Sequence, residues 1–364
     1  MTKGGNPLPF PVDIRPDQAL RELVELNQKL VRGMDALGRI REEDITPGVT
    51  PKQELWRRDN VVLYRFTPVV EKPFSVPVLI VYALVNRPYM MDLQEDRSLI
   101  RKLLSLGMDI YLIDWGYPRP SDRWLTLDDY VNGYIDDCVE FIRDRTELEQ
   151  INLLGVCQGG TLGLCYSALH PEKVKNLITM VTPVDFHAWE GLLNVWAQHV
   201  DPDLLVDALG NVPGEFLNFG FLMLKPFQLS LRKYVDLLDV LEDEDELLNF
   251  LRMEKWIFDS PDQAGEAYRQ FARDFYLENR LIKGEVEIGG RLVDLDKVRM
   301  PVLNLYAEHD HLVPPSSSVA LKDHVGTDDY TVRSFPVGHI GMYVSGKVQR
   351  DLPPAIAEWL TERE

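Results

Sequence analysis

The stretch INLLGVCQGGTLG, residues 151–163, changes character at its centre. Its first six residues form an apolar run with the length of a buried strand, and a helix is predicted to follow Cys157. Glycines stand on both sides of Cys157, where the chain must turn sharply between the two elements. The stretch therefore predicts a strand, a tight turn and a helix, which is the repeating unit of an α/β protein.

The same alternation of apolar runs and helical patterns extends in both directions from this unit. VVLYRF (61–66) is predicted to be an outer strand, and a long helix is predicted to start near Thr126, with Asp129 completing a capping box. Further strands are predicted at VPVLIVYAL (76–84), MDIYLIDW (108–115), VKNLITMVTP (174–183), MPVLNLYAEHD (300–310) and DYTVRSF (329–335). Continuous apolar strands separated by helices indicate a mostly parallel, doubly wound sheet covered on both faces.

Two segments interrupt this alternation and divide the chain into predicted domains. Residues 184–294 are helical, aromatic and acidic, and they are predicted to form a cap inserted into an α/β core of residues 51–183 and 295–364. Residues 1–50 are predicted to be an N-terminal helical segment, with a helix from about Asp17 to Arg41. This helix either packs on its own domain or docks a partner helix through an apolar stripe of Leu20, Leu23, Leu26, Leu30, Met34 and Leu37.

Composition limits the partners and the compartment of the protein. The formal net charge of −19 argues against nucleic-acid binding, which needs basic patches. No stretch approaches the roughly 20 apolar residues of a membrane helix, and residues 1–16 have no apolar core of signal-peptide length. The three cysteines, Cys138, Cys157 and Cys165, imply no disulfide framework, so we expect a cytoplasmic protein.

Cys157 lies where a strand-to-helix turn would present a nucleophile. Residues two before and two after such a nucleophile crowd the turn, and Gly155 and Gly159 occupy those positions, followed by Gly160. A helix N-terminus lowers the pKa of a thiol, and the backbone N–H of Gln158 would be one oxyanion donor. The turn taken alone leaves the alternative of a buried, inert cysteine.

An acid and a histidine later in the chain favour catalysis. Asp310 follows the apolar run VLNLYAEHD, and His339 follows the next predicted strand, so the order Cys157, Asp310, His339 is the order of a nucleophile-elbow triad. The second oxyanion donor is expected in the loop after strand 76–84, at the backbone N–H of Val85. Asn86 and Arg87 follow; they would meet a substrate carbonyl or phosphate, or Arg87 would be a solvated loop residue.

The remaining histidines and cysteines are assigned supporting roles. His309 and His311 flank Asp310 and are interpreted as loop residues, and Cys138 and Cys165 as buried small residues. No Cys or His spacing is typical of zinc, and no glycine-rich nucleotide loop is present, so we expect neither a metal nor a cofactor.

A sulfur nucleophile suits acyl transfer from a thioester. Transfer from an acyl-CoA to Cys157 exchanges one thioester for another and keeps the acyl group activated. A hydroxyl acceptor then forms an oxoester in a downhill step. The chemistry favours an acyltransferase that makes esters, although cysteine hydrolases also exist.

Several motifs together resemble the polyhydroxyalkanoate synthases. They are GVCQGG, DWGYP, PVLNLYAEHDHLVPP and GHIGMYVSGK in the core, and NFGFLMLKPF and MEKWIFDSPDQAGEAYRQF in the cap. The resemblance runs from about Pro51 onward, and the short chain is similar to the class III catalytic subunit, with class IV as the alternative. It implies an α/β-hydrolase fold, with a Cys157 nucleophile, a His339 base and an Asp310 that orients His339 or activates the hydroxyl.

The resemblance also implies a substrate, a product and partners. The substrate would be (R)-3-hydroxyacyl-CoA, chiefly 3-hydroxybutyryl-CoA, and the product a polyester held in cytoplasmic granules. A second synthase subunit and a homodimer are expected partners, and CoA enters as part of the substrate rather than as a cofactor. Two rivals stay open: a cysteine α/β-hydrolase, either dienelactone-hydrolase-like or a thioesterase, and a catalytically silent α/β-hydrolase-like binding protein.

Overall fold

The computed structural model describes residues 16–227, 232–241 and 243–364. Its contacts group these residues into two compact units. The first contains the described residues of Met1–Ile45 and Phe227–Leu251, and the second contains Thr46–Pro226 and Arg252–Glu364. The predicted boundaries at residues 50, 183 and 294 remain predictions.

The first unit is helical. Its elements are α1 (Pro16–Leu37), a 3-10 turn (Glu42–Ile45), α8 (Lys233–Val240) and the start of α9 (Glu244–Phe258). Helix α1 ends four residues before the predicted Arg41, because Gly38 follows the last helical residue and favours a helix end. Gly33 brings α1 close to Leu241: a Cβ at Gly33 would lie 2.6 Å from Leu241 Cδ1.

One face of α1 leaves its apolar side chains in solvent. The exposed fractions are 63% for Leu20, 49% for Val24, 58% for Val31 and 71% for Met34. These four residues follow one another at helical spacing, and we call them the α1 stripe. The side chains of Leu23 and Leu26, also predicted for this face, lie outside the described residues.

The second unit is built on an eight-stranded sheet with the order β1-β2-β6-β3-β7-β8-β11-β12. The pairs β1–β2 and β2–β6 are antiparallel, and all other neighbouring pairs are parallel. The strands are β1 (Lys52–Arg58), β2 (Val61–Phe66), β3 (Val78–Val81), β6 (Ile110–Asp114), β7 (Ile151–Val156), β8 (Val174–Met180), β11 (Val302–Ala307) and β12 (Tyr330–Phe335). The predicted mostly parallel sheet is confirmed.

The predicted outer strand, 61–66, is the second strand of the sheet. The edge is β1, whose sequence KQELWRR is largely charged and whose side chains are mostly exposed. Charged residues are typical of an edge strand, because they discourage pairing with another chain. The apolar runs in the sequence did not reveal this strand, because its residues are largely charged.

Helices cover both faces of the sheet, as its apolar strands require. Alternate residues of one strand enter separate cores: Leu79 and Val81 of β3 pack in one, and Val78 and Ile80 in the other. The helices around the sheet are α2 (Leu99–Ser105), α3 (Asp136–Thr146), α4 (Gln158–Leu169), α12 (Pro315–Val319), α13 (Gly341–Val344) and α14 (Val348–Thr361). None of the described helices is long and apolar enough to cross a membrane.

The predicted capping box at Thr126 is present, but the helix that follows has two parts. Thr126 N donates to Asp129 Oδ2 at 2.8 Å, and Asp129 N donates to Thr126 Oγ1 at 3.4 Å. The first part, Asp129–Ile135, is wound as a π-helix, and α3 continues from Asp136. A π-helical segment leaves no mark in an apolar period, so the sequence predicted one continuous helix.

The region between β8 and β11 is mainly helical. It contains α5 (Leu192–Ala197), α6 (Pro202–Leu209), α7 (Gly214–Met223), α10 (Gly265–Phe271), α11 (Arg280–Lys283) and, in the first unit, α8. Two short hairpins complete the strands: β4 (Asp92–Gln94) with β5 (Arg97–Ser98), and β9 (Glu287–Ile288) with β10 (Arg291–Leu292). The segment from Trp256, in the last turn of α9, to Gln263 lies against the loop that follows β3.

Candidate active site

Cys157 forms the sharp turn between β7 and α4. Its backbone φ is +54° and its ψ is −126°, a conformation that non-glycine residues rarely adopt. The Cys157 N–H donates to the Met180 carbonyl at 2.9 Å, which holds the turn against β8. The thiol is only partly buried. The structure has the predicted sharp strand-to-helix turn at Cys157, and the role of Cys157 as a nucleophile remains a prediction.

Three glycines make this turn possible by allowing backbone segments to approach closely. A Cβ at Gly155 would lie 2.5 Å from Gly160 Cα, and one at Gly159 would lie 2.3 Å from the Val81 carbonyl oxygen. A Cβ at Gly160 would lie 1.9 Å from Thr182 Oγ1. Close approach is therefore the physical reason for glycine at these positions.

His339 and Asp310 lie at the same edge of the sheet as Cys157. The register pairs Val81 with Gly155, Val156 with Met180, and Ala307 with Phe335, so the carboxyl ends of these strands align. The Nδ1 of His339 lies 2.7 Å from Asp310 Oδ2, and both side chains are buried. The other oxygen, Oδ1, accepts the backbone N–H groups of Leu312 and Val313 at 2.9 Å each.

The charges around His339 favour its protonated form. Burial lowers its pKa, but the Asp310 carboxylate, the Cys157 sulfur and their hydrogen bonds raise it to about 10. The Cys157 sulfur thus lies close enough to the imidazole that Asp310 orients to raise the pKa of His339. A cysteine, histidine and carboxylate arranged in this way can pass a proton from the sulfur to the imidazole and support nucleophilic attack.

The loop after β3 reaches the turn, as the sequence predicted. The Leu84 N–H donates to Gln158 Oε1 at 3.1 Å, and Val85 is half-buried beside it. Helix α4 begins at Gln158, which places the Gln158 backbone N–H in its first turn. The roles of Val85 and Gln158 as oxyanion donors remain predictions.

Asn86 and Arg87 make protein contacts instead of standing free in solvent. Asn86 has a φ of +58°, and its Nδ2 donates to Ser260 Oγ at 2.7 Å. The Nη2 of Arg87 pairs with Asp114 Oδ2 at 2.8 Å, and the guanidinium carbon lies 4.3 Å from the centre of the Tyr117 ring. The alternative of a solvated Arg87 is therefore wrong, because its side chain is only 13% exposed.

Comparisons with known proteins agree with this geometry. The family model described as "alpha/beta hydrolase fold" matches residues 76–345, and the model "Poly-beta-hydroxybutyrate polymerase (PhaC) N-terminus" matches residues 43–103. The chain is 61% identical to "Poly(3-hydroxyalkanoate) polymerase subunit PhaC" from Synechocystis sp., over 98% of this chain and 96% of the relative. The chain belongs to the poly(3-hydroxyalkanoate) polymerase family.

A second member of the polymerase family also aligns with almost the whole chain. The protein of the same name from Allochromatium vinosum is 57% identical over 97% of this chain and 100% of its own length. A solved hydrolase structure from Pseudomonas aeruginosa PA01 has a TM-score of 0.53 at 16% identity, covering 86% of this chain and 99% of its own. This structural likeness shows the fold alone, and it confirms the predicted α/β-hydrolase fold.

Three tyrosines near the thiol of this polymerase-family chain were missed by the sequence analysis. Burial raises the pKa of Tyr82, Tyr276 and Tyr343, and the Cys157 sulfur raises each of them further. The Tyr343 hydroxyl lies 3.5 Å from His339 Nε2. His339 precedes α13 and Tyr343 lies within it, so no helical spacing in the sequence marks this pair.

Burial also shifts the pKa values of Cys138, Cys165 and His311. Burial raises the pKa of Cys138, and it raises that of Cys165 to about 12, so both thiols stay protonated. Burial is also the main reason that the pKa of His311 is lowered, with help from Lys225 and His339, although Asp310 raises it. Among the described residues, no group of three or more His, Cys, Asp or Glu side chains could hold a metal ion.

Proposed function

We propose that the protein polymerises (R)-3-hydroxyacyl-CoA thioesters, chiefly 3-hydroxybutyryl-CoA, into a polyester and releases CoA. One observation carries the proposal: Cys157 stands at a strained strand-to-helix turn beside the His339–Asp310 pair, in a chain of this polymerase family. The family name supplies the reaction, and the site supplies a nucleophile suited to it.

In the first step the acyl group moves from CoA to Cys157. His339 accepts the thiol proton, and the thiolate attacks the thioester carbonyl to form a tetrahedral intermediate. The backbone N–H groups of Gln158 and Val85 would stabilise its negative oxygen. When the carbon–sulfur bond to CoA breaks, His339 returns the proton to the departing CoA thiolate. The acyl group is then held as a thioester on Cys157.

In the second step a 3-hydroxyl group attacks the acyl group on Cys157. His339 takes the hydroxyl proton, an ester bond forms, and the bond from carbon to Cys157 sulfur breaks. The proton then returns to the Cys157 thiolate. Both oxygens of Asp310 already accept hydrogen bonds, from His339 and from two backbone N–H groups. This engagement favours His339 as the base and Asp310 as the group that orients it.

The test is to supply 3-hydroxybutyryl-CoA and measure released CoA, free hydroxy acid and polymer. We expect CoA release matched by polymer, and its loss in Cys157→Ala. CoA release that yields only free hydroxy acid would support a cysteine hydrolase instead. No CoA release, with or without an added second subunit, would support the binding-protein alternative.

We also propose that the protein works with a second synthase subunit, as a homodimer and at polyester granules. The two relatives described above are named as subunits of a polymerase. The α1 stripe offers an apolar helical face to a partner helix, because its four side chains are 49–71% exposed.

Substitutions on the two sides of α1 test the role of the α1 stripe. The variant Val24→Lys/Val31→Lys places two charges on the stripe, whereas Glu25→Lys/Gln28→Lys places two on another exposed part of the same helix. We expect only the first variant to lose co-purification with a co-expressed second subunit. Equal binding by both variants would remove the α1 stripe from the interface.

A further inference from the structure

Hydrogen bonds hold the two peptide groups on either side of Leu84. Gln263 Nε2 donates to the Leu84 carbonyl oxygen at 2.8 Å, and the Leu84 N–H donates to Gln158 Oε1 at 3.1 Å. A trans peptide is planar, and its C=O and N–H groups point in opposite directions. The hydrogen bond from Gln263 to the Leu84 carbonyl therefore also fixes the direction of the Val85 N–H.

Gln263 is itself held in a fixed position by burial and by backbone hydrogen bonds. Its side chain belongs to the buried polar groups of the protein, at 4% exposure. Its backbone N–H and carbonyl both pair with Val212, at 2.9 Å each, in an isolated antiparallel bridge. A buried amide with its backbone fixed has little freedom to swing away from its acceptor.

Two more hydrogen bonds tie the same loop to the same segment. The Nδ2 of Asn86 donates to Ser260 Oγ at 2.7 Å, and Trp256 Nε1 donates to the Arg87 carbonyl at 2.8 Å. Asn86 has a positive φ, so the loop turns sharply just after Val85. Contacts from the segment 256–263 thus fix this turn on both sides of the Val85 N–H.

We propose that Gln263 is a positioning residue that aims the Val85 N–H at the oxygen of the acyl group attacked by Cys157. The proposal rests on the proposed function, in which that oxygen becomes negative during attack. Gln263 acts through the Leu84 carbonyl and does not contact the substrate. Without the hydrogen bond from Gln263, the peptide group between Leu84 and Val85 can rotate, and the Val85 N–H no longer points at the substrate oxygen.

The test separates acylation of Cys157, which forms an oxyanion, from alkylation, which does not. Gln263→Met keeps the size of the side chain and removes the donor. Gln270→Met is the matched control, because Gln270 Oε1 accepts the Leu127 N–H at 2.8 Å and so also ties a helix of the same region to a backbone group. Acylation is followed with p-nitrophenyl acetate and with 3-hydroxybutyryl-CoA, and alkylation with iodoacetamide.

We expect Gln263→Met to lower the acylation rate by about 10- to 100-fold. This loss is smaller than the loss caused by removing an oxyanion donor entirely, because the Val85 N–H is still present but no longer held in position. KM and the alkylation rate of Cys157 should stay within about twofold of wild type, and Gln270→Met should keep the wild-type rates. An unchanged acylation rate, or an equal fall in acylation and alkylation, would overturn the proposal. If the wild type reacts with p-nitrophenyl acetate but not with the CoA thioester, the proposed function fails and the role of Gln263 is still measured.

Discussion

The His339 side chain binds its proton more tightly in the folded protein than a free imidazole does. Burial opposes the charge, but Asp310 and the Cys157 sulfur outweigh it and raise the pKa from 6.5 to about 10. A raised folded pKa contributes stability that is complete below pH 6.5 and is lost as the pH rises towards 10. Asp310 is the larger of the two raising charges, so part of this contribution remains without the sulfur.

We predict that this pH dependence is measurable in a Cys157→Ala background, where the thiol no longer titrates. The unfolding free energy should fall above pH 6.5 by up to about 1.4 kcal/mol per pH unit, until the folded pKa is passed. Urea unfolding of Cys157→Ala and of Cys157→Ala/His339→Gln at several pH values checks this. The second variant should lack the slope, and identical slopes in both would contradict it.

The three residues of the proposed triad were predictable from the sequence because each follows a recognisable strand. Cys157, Asp310 and His339 come after β7, β11 and β12 in the expected order, and the parallel register then brings them to one edge. Tyr343, Tyr82 and Gln263 were not predicted. Their contacts with the site depend on side-chain direction and on the path of the segment 256–263, and no local pattern encodes either.

At the scale of elements, α4 packs closely against the end of β3 at Gly159. A Cβ at Gly159 would lie 2.3 Å from the Val81 carbonyl oxygen and 2.4 Å from that of Tyr82. These atoms are backbone, so no rotamer change can relieve the contact. Either α4 or the end of β3 must move, and the end of β3 leads directly into the loop of Leu84 and Val85.

We predict that Gly159→Ala costs about 2–3 kcal/mol of stability, the upper range for an overpacked site, and lowers acylation of Cys157 by about tenfold or more. Gly220→Ala is the control. A Cβ added at Gly220 would meet no neighbouring atom within 4 Å, and Gly220 lies inside helix α7, where alanine is a better helix former than glycine. That change should stabilise by about 0.5–1 kcal/mol. Urea unfolding and acylation rates measure both variants, and a neutral Gly159→Ala would contradict the close approach.

The elements found from the sequence were those with a strong apolar period. The buried strands β6, β7 and β11 lie within the predicted segments, whereas the edge strand β1 was missed because its residues are charged. A strand was predicted at 76–84, but β3 covers only Val78–Val81. The residues that follow β3 are apolar and belong to the loop after the strand. Apolar content marks burial, and burial extends beyond the regular strand near an active site.

At the scale of the whole molecule, the three cysteines lie in different parts of the fold and differ in burial. Cys138 and Cys165 belong to the core on one side of the sheet, and neither has exposed surface. Cys157 packs at the margin of the opposite core and is only partly buried. A thiol reagent can therefore reach Cys157 in the native state, and the other two only after the core opens.

We predict one fast-reacting thiol in the native protein and three after unfolding. With iodoacetamide, Cys157 should react at least about 100 times faster than Cys138 and Cys165, because burial raises the pKa of both core thiols and shields them. Peptide mapping by mass spectrometry assigns each site. In rising urea, labelling of Cys138 and Cys165 should follow the global unfolding transition together, because they share one core. Labelling of either at low urea, before that transition, would mean that this side of the sheet opens on its own.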